Sequence, residues 1–256
     1  MLHDLYDKQA SKTPGACAVV SLSGKCARVE ANYAEVCKRS LLIANGLRSG
    51  HLQAAARATV VEAAKDAGAT LVVAVHLPRT HVEFLPLLLA LSRCNATVVA
   101  MSTDLKAKEL ETKRNLLIIQ ELKPALLITS EGEVPSGGNA LKVTVEQLCA
   151  DGQVQQPCPE VQQRLDAPLY FMFTGGTTRG RCVSVTHKMF EHEKKHYPNC
   201  VGKLHQPRVL ANTSVYWGAS ALGQVSIALA FGGCAVFCEA IDEDAIRTVI
   251  TSESIT

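Results

Sequence analysis

Residues Phe173 to His187 read Phe-Thr-Gly-Gly-Thr-Thr-Arg-Gly-Arg-Cys-Val-Ser-Val-Thr-His, and no other stretch of the chain gathers as many groups suited to phosphate. Gly175, Gly176 and Gly180 lift the Cβ barrier to positive φ, so successive backbone N–H groups are free to turn inward around an anion. Thr174, Thr177 and Thr178 add hydroxyl donors. Arg179 and Arg181 add fixed positive charge in a forked geometry that matches phosphate oxygens. The ligand this set suits is a polyphosphate, whereas the bland alternative for a Thr/Gly run is a solvated turn. A P-loop ATPase is disfavoured, because the nucleotide loop G-x-x-x-x-G-K-[ST] needs Lys-Ser/Thr where Gly180 is followed by Arg181-Cys182.

A second constellation is His192-Glu193-Lys194-Lys195-His196, which satisfies H-E-x-x-H and sets two imidazoles one helical turn apart beside a general base. Lys194 and Lys195 would place two ammonium groups next to the cation, and no third ligand follows at a metalloprotease spacing. A solvated amphipathic helix accounts for the same residues, so no metal ligand is assigned.

The phosphate-suited loop needs a rigid frame. The run Pro168-Leu-Tyr-Phe-Met-Phe-Thr174 before it is apolar enough for a buried strand, and His187 to His196 after it suits a helix, which gives the order strand, glycine loop, helix. Further strands are expected over Leu71–Val75, Ala96–Met101, Ala125–Thr129, Leu169–Thr174, Arg208–Ala211 and Cys234–Phe237. Helices are expected over Val82–Arg93, Lys106–Glu121, Thr186–His196, Ala219–Phe231 and Asp242–Thr251. This alternation predicts an α/β fold with largely parallel sheets flanked by helices and a ligand beyond the carboxyl ends of the strands. Ser130–Gly138 and Asp151–Pro159 read as surface loops, and His51–Gly68 as an Ala-rich helix.

Composition sets limits on the partners. With 47% hydrophobic residues and 20% charged, 256 residues suffice for a sizeable core, and a net charge of +2 spread along the chain argues against nucleic acid. Ten cysteines follow no tight framework, and several lie in apolar runs, so they read as buried reduced thiols. Met1-Leu-His-Asp-Leu-Tyr-Asp lacks the apolar core of a leader, and the combined expectation is a cytoplasmic protein. Ser214 to Cys238 is uncharged and long enough to span a bilayer, but Gly232-Gly233 interrupts it. The expectation there is a buried helix, a glycine turn and a buried strand rather than a membrane span.

Read as a whole, the Thr174–His187 segment resembles the phosphate loop of the AMP-forming adenylate ligases, the superfamily of acyl-CoA synthetases and nonribosomal peptide synthetase adenylation domains. Their pattern is [Ser/Thr]-[Ser/Gly]-Gly-Thr-Thr-Gly-x-Pro-Lys-Gly-Val, closing on Thr-His. This chain is one residue shorter between Thr178 and Thr186, and Gly180-Arg181-Cys182 replaces Pro-Lys-Gly, with Arg181 standing in for the lysine. The resemblance continues through Leu2–Pro14, Ala18-Val-Val20, Asn32-Tyr-Ala-Glu35, Ile43–Arg48, Val72–Phe84, Leu87–Met101, Lys123–Thr129 and Trp217–Phe237. Within it, Asn32 with Glu35 reads as an N-cap pair and Gly50 as a helix stop.

The resemblance implies that residues 1–256 are a partial AMP-binding (adenylation) domain, the truncated N-terminal domain of the adenylate-forming ligase fold. The C-terminal half and the mobile lid domain, with their adenine, ribose and lid residues, lie outside it. It implies ATP and Mg²⁺ as cofactors, a carboxylic-acid substrate, and coenzyme A or phosphopantetheine, the latter on a carrier domain, as thiol acceptor. Thr174, Gly175, Gly176, Thr177, Thr178, Arg179 and Gly180 would bind the nucleotide, and Thr177, Thr178, Arg181 and His187 would serve the reaction. Val215–Gly223 maps loosely onto the acyl pocket, where Tyr216 and Trp217 are equally well read as core. The alternative is a noncatalytic nucleotide-binding or interaction module.

Overall fold

Short apolar runs form strands where helices cover both of their faces, and that condition organises most of this molecule. The computed structural model describes residues 1–23, 27–52, 54, 71–78, 80–103, 107–130, 139–154, 164–174, 181–202, 204–239 and 242–256. Its strands are β1 (Cys17–Ser23), β2 (Ala27–Asn32), β3 (Val72–His76), β4 (Thr97–Ala100), β5 (Leu126–Thr129), β6 (Leu141–Thr144), β7 (Pro168–Phe173), β8 (Cys182–Thr186), β9 (Arg208–Ala211) and β10 (Cys234–Cys238). They form a four-stranded sheet ordered β2-β1-β10-β9 and a six-stranded sheet ordered β6-β5-β3-β4-β7-β8. Every described pairing is parallel except β1 with β2 and β7 with β8. The expected α/β class with largely parallel sheets is therefore present.

The helices are α1 (Leu2–Lys12), α2 (Tyr33–Gly46), α3 (Phe84–Arg93), α4 (Lys108–Leu122), α5 (Val145–Val154), α6 (His187–His196), the single turn α7 (Pro198–Val201), α8 (Ile227–Ala230) and α9 (Glu243–Ser252). Asn32 caps α2 as its spacing predicts: its side chain accepts from Glu35 N at 2.9 Å, and the Glu35 carboxylate accepts from Asn32 N at 2.8 Å. Helix α2 passes into a π-helical turn, Leu47–His51, in which Gly50 leaves helical geometry. Every residue of α3 is buried, as expected of a helix apolar on all sides, and it belongs to the main core together with strands of both sheets. Helices α2 and α5 cross backbone to backbone: a Cβ on Gly46 would lie 1.9 Å from Leu148 O, and one on Gly152 would lie 2.0 Å from Leu42 O.

Four strands differ from the sequence reading: β1, β2, β6 and β8 were not expected as strands. β2 and β8 are hairpin edges with mostly exposed residues, and β6 is a short edge strand with an exposed first half. Such segments lack the apolar run that marks a doubly covered strand, and their pairing is set by tertiary context. Asp151–Pro159 is also not a loop throughout, because α5 continues to Val154. The remainder of that loop, residues 131–138 and most of His51–Gly68 lie outside the described residues. Ser214–Cys238 does fold as a helix, a turn with Gly232 at φ 70°, and the buried strand β10. Among the described residues, no helix is long and apolar enough to cross a membrane.

Two polar links tie the layers together. Arg93, 6% exposed at the end of α3, donates through both terminal nitrogens to the Asp7 carboxylate of α1, Nη1 at 2.7 Å, and through Nε to Ser40 of α2 at 3.3 Å. Three helices thus meet at one buried guanidinium. Where the sheets meet, Ser21 of β1 donates to the carbonyl of Thr80, and the Thr80 hydroxyl donates to Glu239, just past β10, at 3.0 Å. Replacing Asp7 with Ala strips Arg93 of two charge-assisted bonds in a buried setting. The expected cost is roughly 3 kcal/mol, read as a lower denaturant midpoint at unchanged slope.

Candidate phosphate-binding site

The Thr/Gly run joins two strands rather than a strand and a helix. β7 and β8 pair antiparallel in the register Phe173↔Cys182, and the pair is closed by Thr174 N donating to Arg181 O at 2.9 Å. The Arg181 amide returns a bond to the Thr174 hydroxyl oxygen at 3.0 Å. The expected order of strand, glycine loop and helix is therefore corrected to strand, loop, strand, helix. β8 interposes about 16 Å of extended chain between the loop and the start of α6, so the α6 dipole does not act on an anion at the loop.

Thr174 and Arg181 are both exposed and stand opposite one another as the stems of the loop. Accepting an amide hydrogen leaves the Thr174 hydroxyl proton free to donate outward. Gly175, Gly176, Thr177, Thr178, Arg179 and Gly180 lie outside the described residues. Because β4 pairs parallel with β7 and with β3, Thr174 emerges at the same edge as the carboxyl ends of those strands. That is where an open parallel sheet places ligands.

The neighbouring strand ends are held firmly. Asn115 of α4, 2% exposed, accepts from Ser102 N at 2.9 Å and donates to Ser102 O at 2.7 Å, fixing the chain as it leaves β4. Thr103 donates to Leu77 O at 3.2 Å, linking the exits of β4 and β3. His76, at the end of β3, has its imidazole held below the usual range chiefly by burial, with Glu111 opposing and Lys108 reinforcing that shift. The Arg114 guanidinium stacks over Trp217 at 5.1 Å and Tyr216 at 5.7 Å, and its Nη1 is buried without a hydrogen-bond partner. Tyr216 is core, packed with Phe173 and Met101, whereas Trp217 is half-buried at the edge of that cluster. Sequence reasoning gave no role to His76, Asn115 or Arg114. Each lies far along the chain from the loop, so no local spacing marks it.

His187 is not brought to the loop. It opens α6 after the Thr186 cap, whose hydroxyl accepts from Met189 N at 3.1 Å, at the far end of β8 from Arg181. Its backbone N–H donates to Ala167 O at 3.2 Å, its side chain is 1% exposed, and its Nδ1 has no hydrogen-bond partner. Burial lowers its pKa to about 4, with His3 and Asp4 of α1 among the groups acting on it. His192, Glu193 and His196 are exposed on α6, and among the described residues no three metal-ligating side chains converge.

The sequence matches a model of the AMP-binding enzyme family over residues 6–256. The chain belongs to that family. No curated protein sequence matches it. Among solved structures, the N-terminal subdomain of Klebsiella oxytoca NpsA in complex with 3-hydroxybenzoyl-AMSN shares 18% identity at a TM-score of 0.76, over 99% of this chain and 58% of that one. O-succinylbenzoate coenzyme A synthetase (MenE) from Bacillus subtilis, in complex with ATP and magnesium ion, shares 15% identity at a TM-score of 0.75, over 98% and 61%. An artificially fused NpsA-ThdA adenylation–PCP di-domain, also from Klebsiella oxytoca, shares 18% at 0.78, over 100% and 46%. At these identities the likeness establishes the fold, that of the N-terminal part of adenylate-forming enzymes. The chain of this AMP-binding family member spans 58 to 61% of the length of the first two neighbours.

The buried, neutral His187 has a consequence for stability. Its folded pKa of about 4 lies below the ordinary 6.5, so as pH falls the unfolded chain takes up the proton first. Its contribution is complete above pH 6.5 and is lost toward pH 4, by about 3 kcal/mol in all. Denaturant titrations across this window should show stability falling with acid, and His187→Gln should flatten that slope. His3, also lowered to about 4 mainly by burial, retains its own share.

Proposed function

We propose that this chain is part of an enzyme that activates a carboxylic acid with ATP, forming an acyl-adenylate and releasing pyrophosphate, then passing the acyl group to a thiol. The observation that carries the reading is the family match over residues 6–256, with the Thr174/Arg181 stems of the family's phosphate loop set at the carboxyl edge of a parallel sheet. In the first step a carboxylate oxygen attacks the α-phosphorus and the bond to the β,γ-pyrophosphate breaks. Covalent work by the loop is not required. Gly175, Gly176 and Gly180 supply amide N–H groups to the β- and γ-phosphates, Thr174, Thr177 and Thr178 supply hydroxyls, and Arg179 and Arg181 offset the charge accumulating on pyrophosphate.

His187 takes a positioning role in this reading at the base of the hairpin, since it lies at the far end of β8 from the loop and burial keeps its imidazole neutral. Mg²⁺ chemistry would neutralise the phosphates. The described side chains do not assemble a site for the ion, and no step is assigned to it. Coenzyme A or a carrier-borne phosphopantetheine is the proposed acceptor; a carrier domain as partner finds support in the NpsA-ThdA di-domain, in which an adenylation domain and a PCP are joined. Residues 1–256 are read as a partial adenylation domain whose C-terminal half and lid belong to the same catalytic unit.

The test is ATP–pyrophosphate exchange by this chain with a panel of carboxylic acids, alongside calorimetric ATP binding. Exchange above the acid-free background, however slow, supports the activating enzyme. ATP binding without exchange for any acid favours the nucleotide-binding module instead. Thr177→Val removes one donor to the leaving group and should lower exchange by about 100-fold, with an unchanged far-ultraviolet spectrum. ATP affinity and exchange equal to the parent protein would sink the loop assignment.

A further inference from the structure

Two thiols outside the phosphate site lie in contact. Cys17 of β1 and Cys234 of β10 are distant in sequence, yet their Sγ atoms are 3.5 Å apart. The strands are parallel neighbours in the register Val19↔Ala235, and an irregularity in the β1–β2 ladder falls between Cys17 and Val19. Both sulfurs belong to the sheet face that carries Val20 and Val236 and packs on Val249 of α9. The partners differ in access: Cys17 is half-buried and Cys234 is 3% exposed.

We propose that Cys17 and Cys234 form a peroxide-sensitive dithiol, with Cys17 the attacking thiol, Cys234 the resolving thiol, and a β1–β10 disulfide the product. Sulfur at Cys17 attacks one oxygen of hydrogen peroxide, the O–O bond breaks, and a sulfenic acid and water result. The Cys234 sulfur then attacks the sulfenic sulfur, the S–O bond breaks, and the departing hydroxide takes the thiol proton as a second water. Two thiols and one peroxide give one disulfide and two waters. Electrostatics favour this assignment of roles. A hydrogen bond from Cys234, with the Arg208 guanidinium adding to it, brings the Cys17 thiol down to about 7, whereas the same contact and burial push Cys234 up. A low-pKa thiol that keeps partial access to solvent, with a resolving cysteine buried behind it, has the microenvironment of a redox-sensitive pair. The bond would close a covalent loop containing the whole six-stranded sheet and so restrict the unfolded chain.

The experiment treats the reduced full chain with equimolar hydrogen peroxide at neutral pH and maps tryptic peptides without reduction. Cys17 is the one cysteine of peptide 13–25, and Cys234 lies in peptide 209–247 with Cys238. The expected result is loss of free peptide 13–25, its appearance joined to 209–247 through Cys234 at a mass lower by two hydrogens, and full reversal by dithiothreitol. In Cys234→Ser the same treatment should leave Cys17 as a sulfenic acid trapped by dimedone. The proposal is overturned if peptide 13–25 stays unlinked while other thiols oxidise, or if Cys17 is found joined to a different cysteine. Neither outcome depends on the Ser variant folding, because the parent protein supplies the cross-link map.

Discussion

The position of the Thr/Gly loop depends on one antiparallel pairing grafted onto a parallel sheet. β7 joins the sheet through β4, with Val98 opposite Tyr170 and the Thr97 hydroxyl donating to Pro168 O at 3.0 Å. β8 then folds back along it, and the reciprocal bonds between Thr174 and Arg181 hold the two ends of the loop together. Val185 stands opposite Tyr170 on the face that packs into the main core, and since side chains alternate faces along a strand, a one-residue slip of β8 would turn Val185 out of that core and Ser184 into it. The burial of Val185 against that core therefore fixes the register of the hairpin whose ends carry the loop.

That hairpin needs a backing that does not yield. Helix α3, buried on every side, fills the space among the other core elements, and its one charged residue is matched by Asp7 and Ser40 from two other helices. At the edge where ligand would enter, Asn115 satisfies both backbone groups of Ser102, and Thr80 bridges β1 to the chain beyond β10. Each of these is a polar group kept inside because it is paired. Asn115 and Thr103 act at the exits of β4 and β3, which is where a binding edge needs rigidity.

What the sequence made legible follows from burial. β3, β4 and β5 read as strands because Val-Val-Ala-Val, Thr-Val-Val-Ala and Leu-Leu-Ile-Thr are covered on both faces and carry no alternation to misread. β8 did not, because Cys182, Val183 and Ser184 are exposed on an edge strand whose existence depends on β7. Without β8 the glycine run reads as leading straight into α6. Of the loop residues assigned from sequence, the structure describes Thr174 and Arg181 and sets them opposite one another. Arg114, Asn115 and His76 were not legible, since they come to that edge of the sheet from distant parts of the chain.

The separation of α6 from the loop bears on how the loop would attract an anion. The α6 N-terminus is occupied by the Thr186 cap and lies beneath the hairpin. In the proposed function the charge at the loop comes from Arg179 and Arg181, and Arg181 is exposed. One charge pair at roughly 4 Å gains about 1 kcal/mol in water and about 4 kcal/mol near a protein surface, so an exposed guanidinium contributes little until solvent is displaced. Backbone amides held by a closed stem lose no side-chain entropy when they bind. For the polyphosphate proposed above, the arginines would offset charge, while the Thr174–Arg181 clasp, by holding the two ends of the loop together, would set the reach of the amides between them.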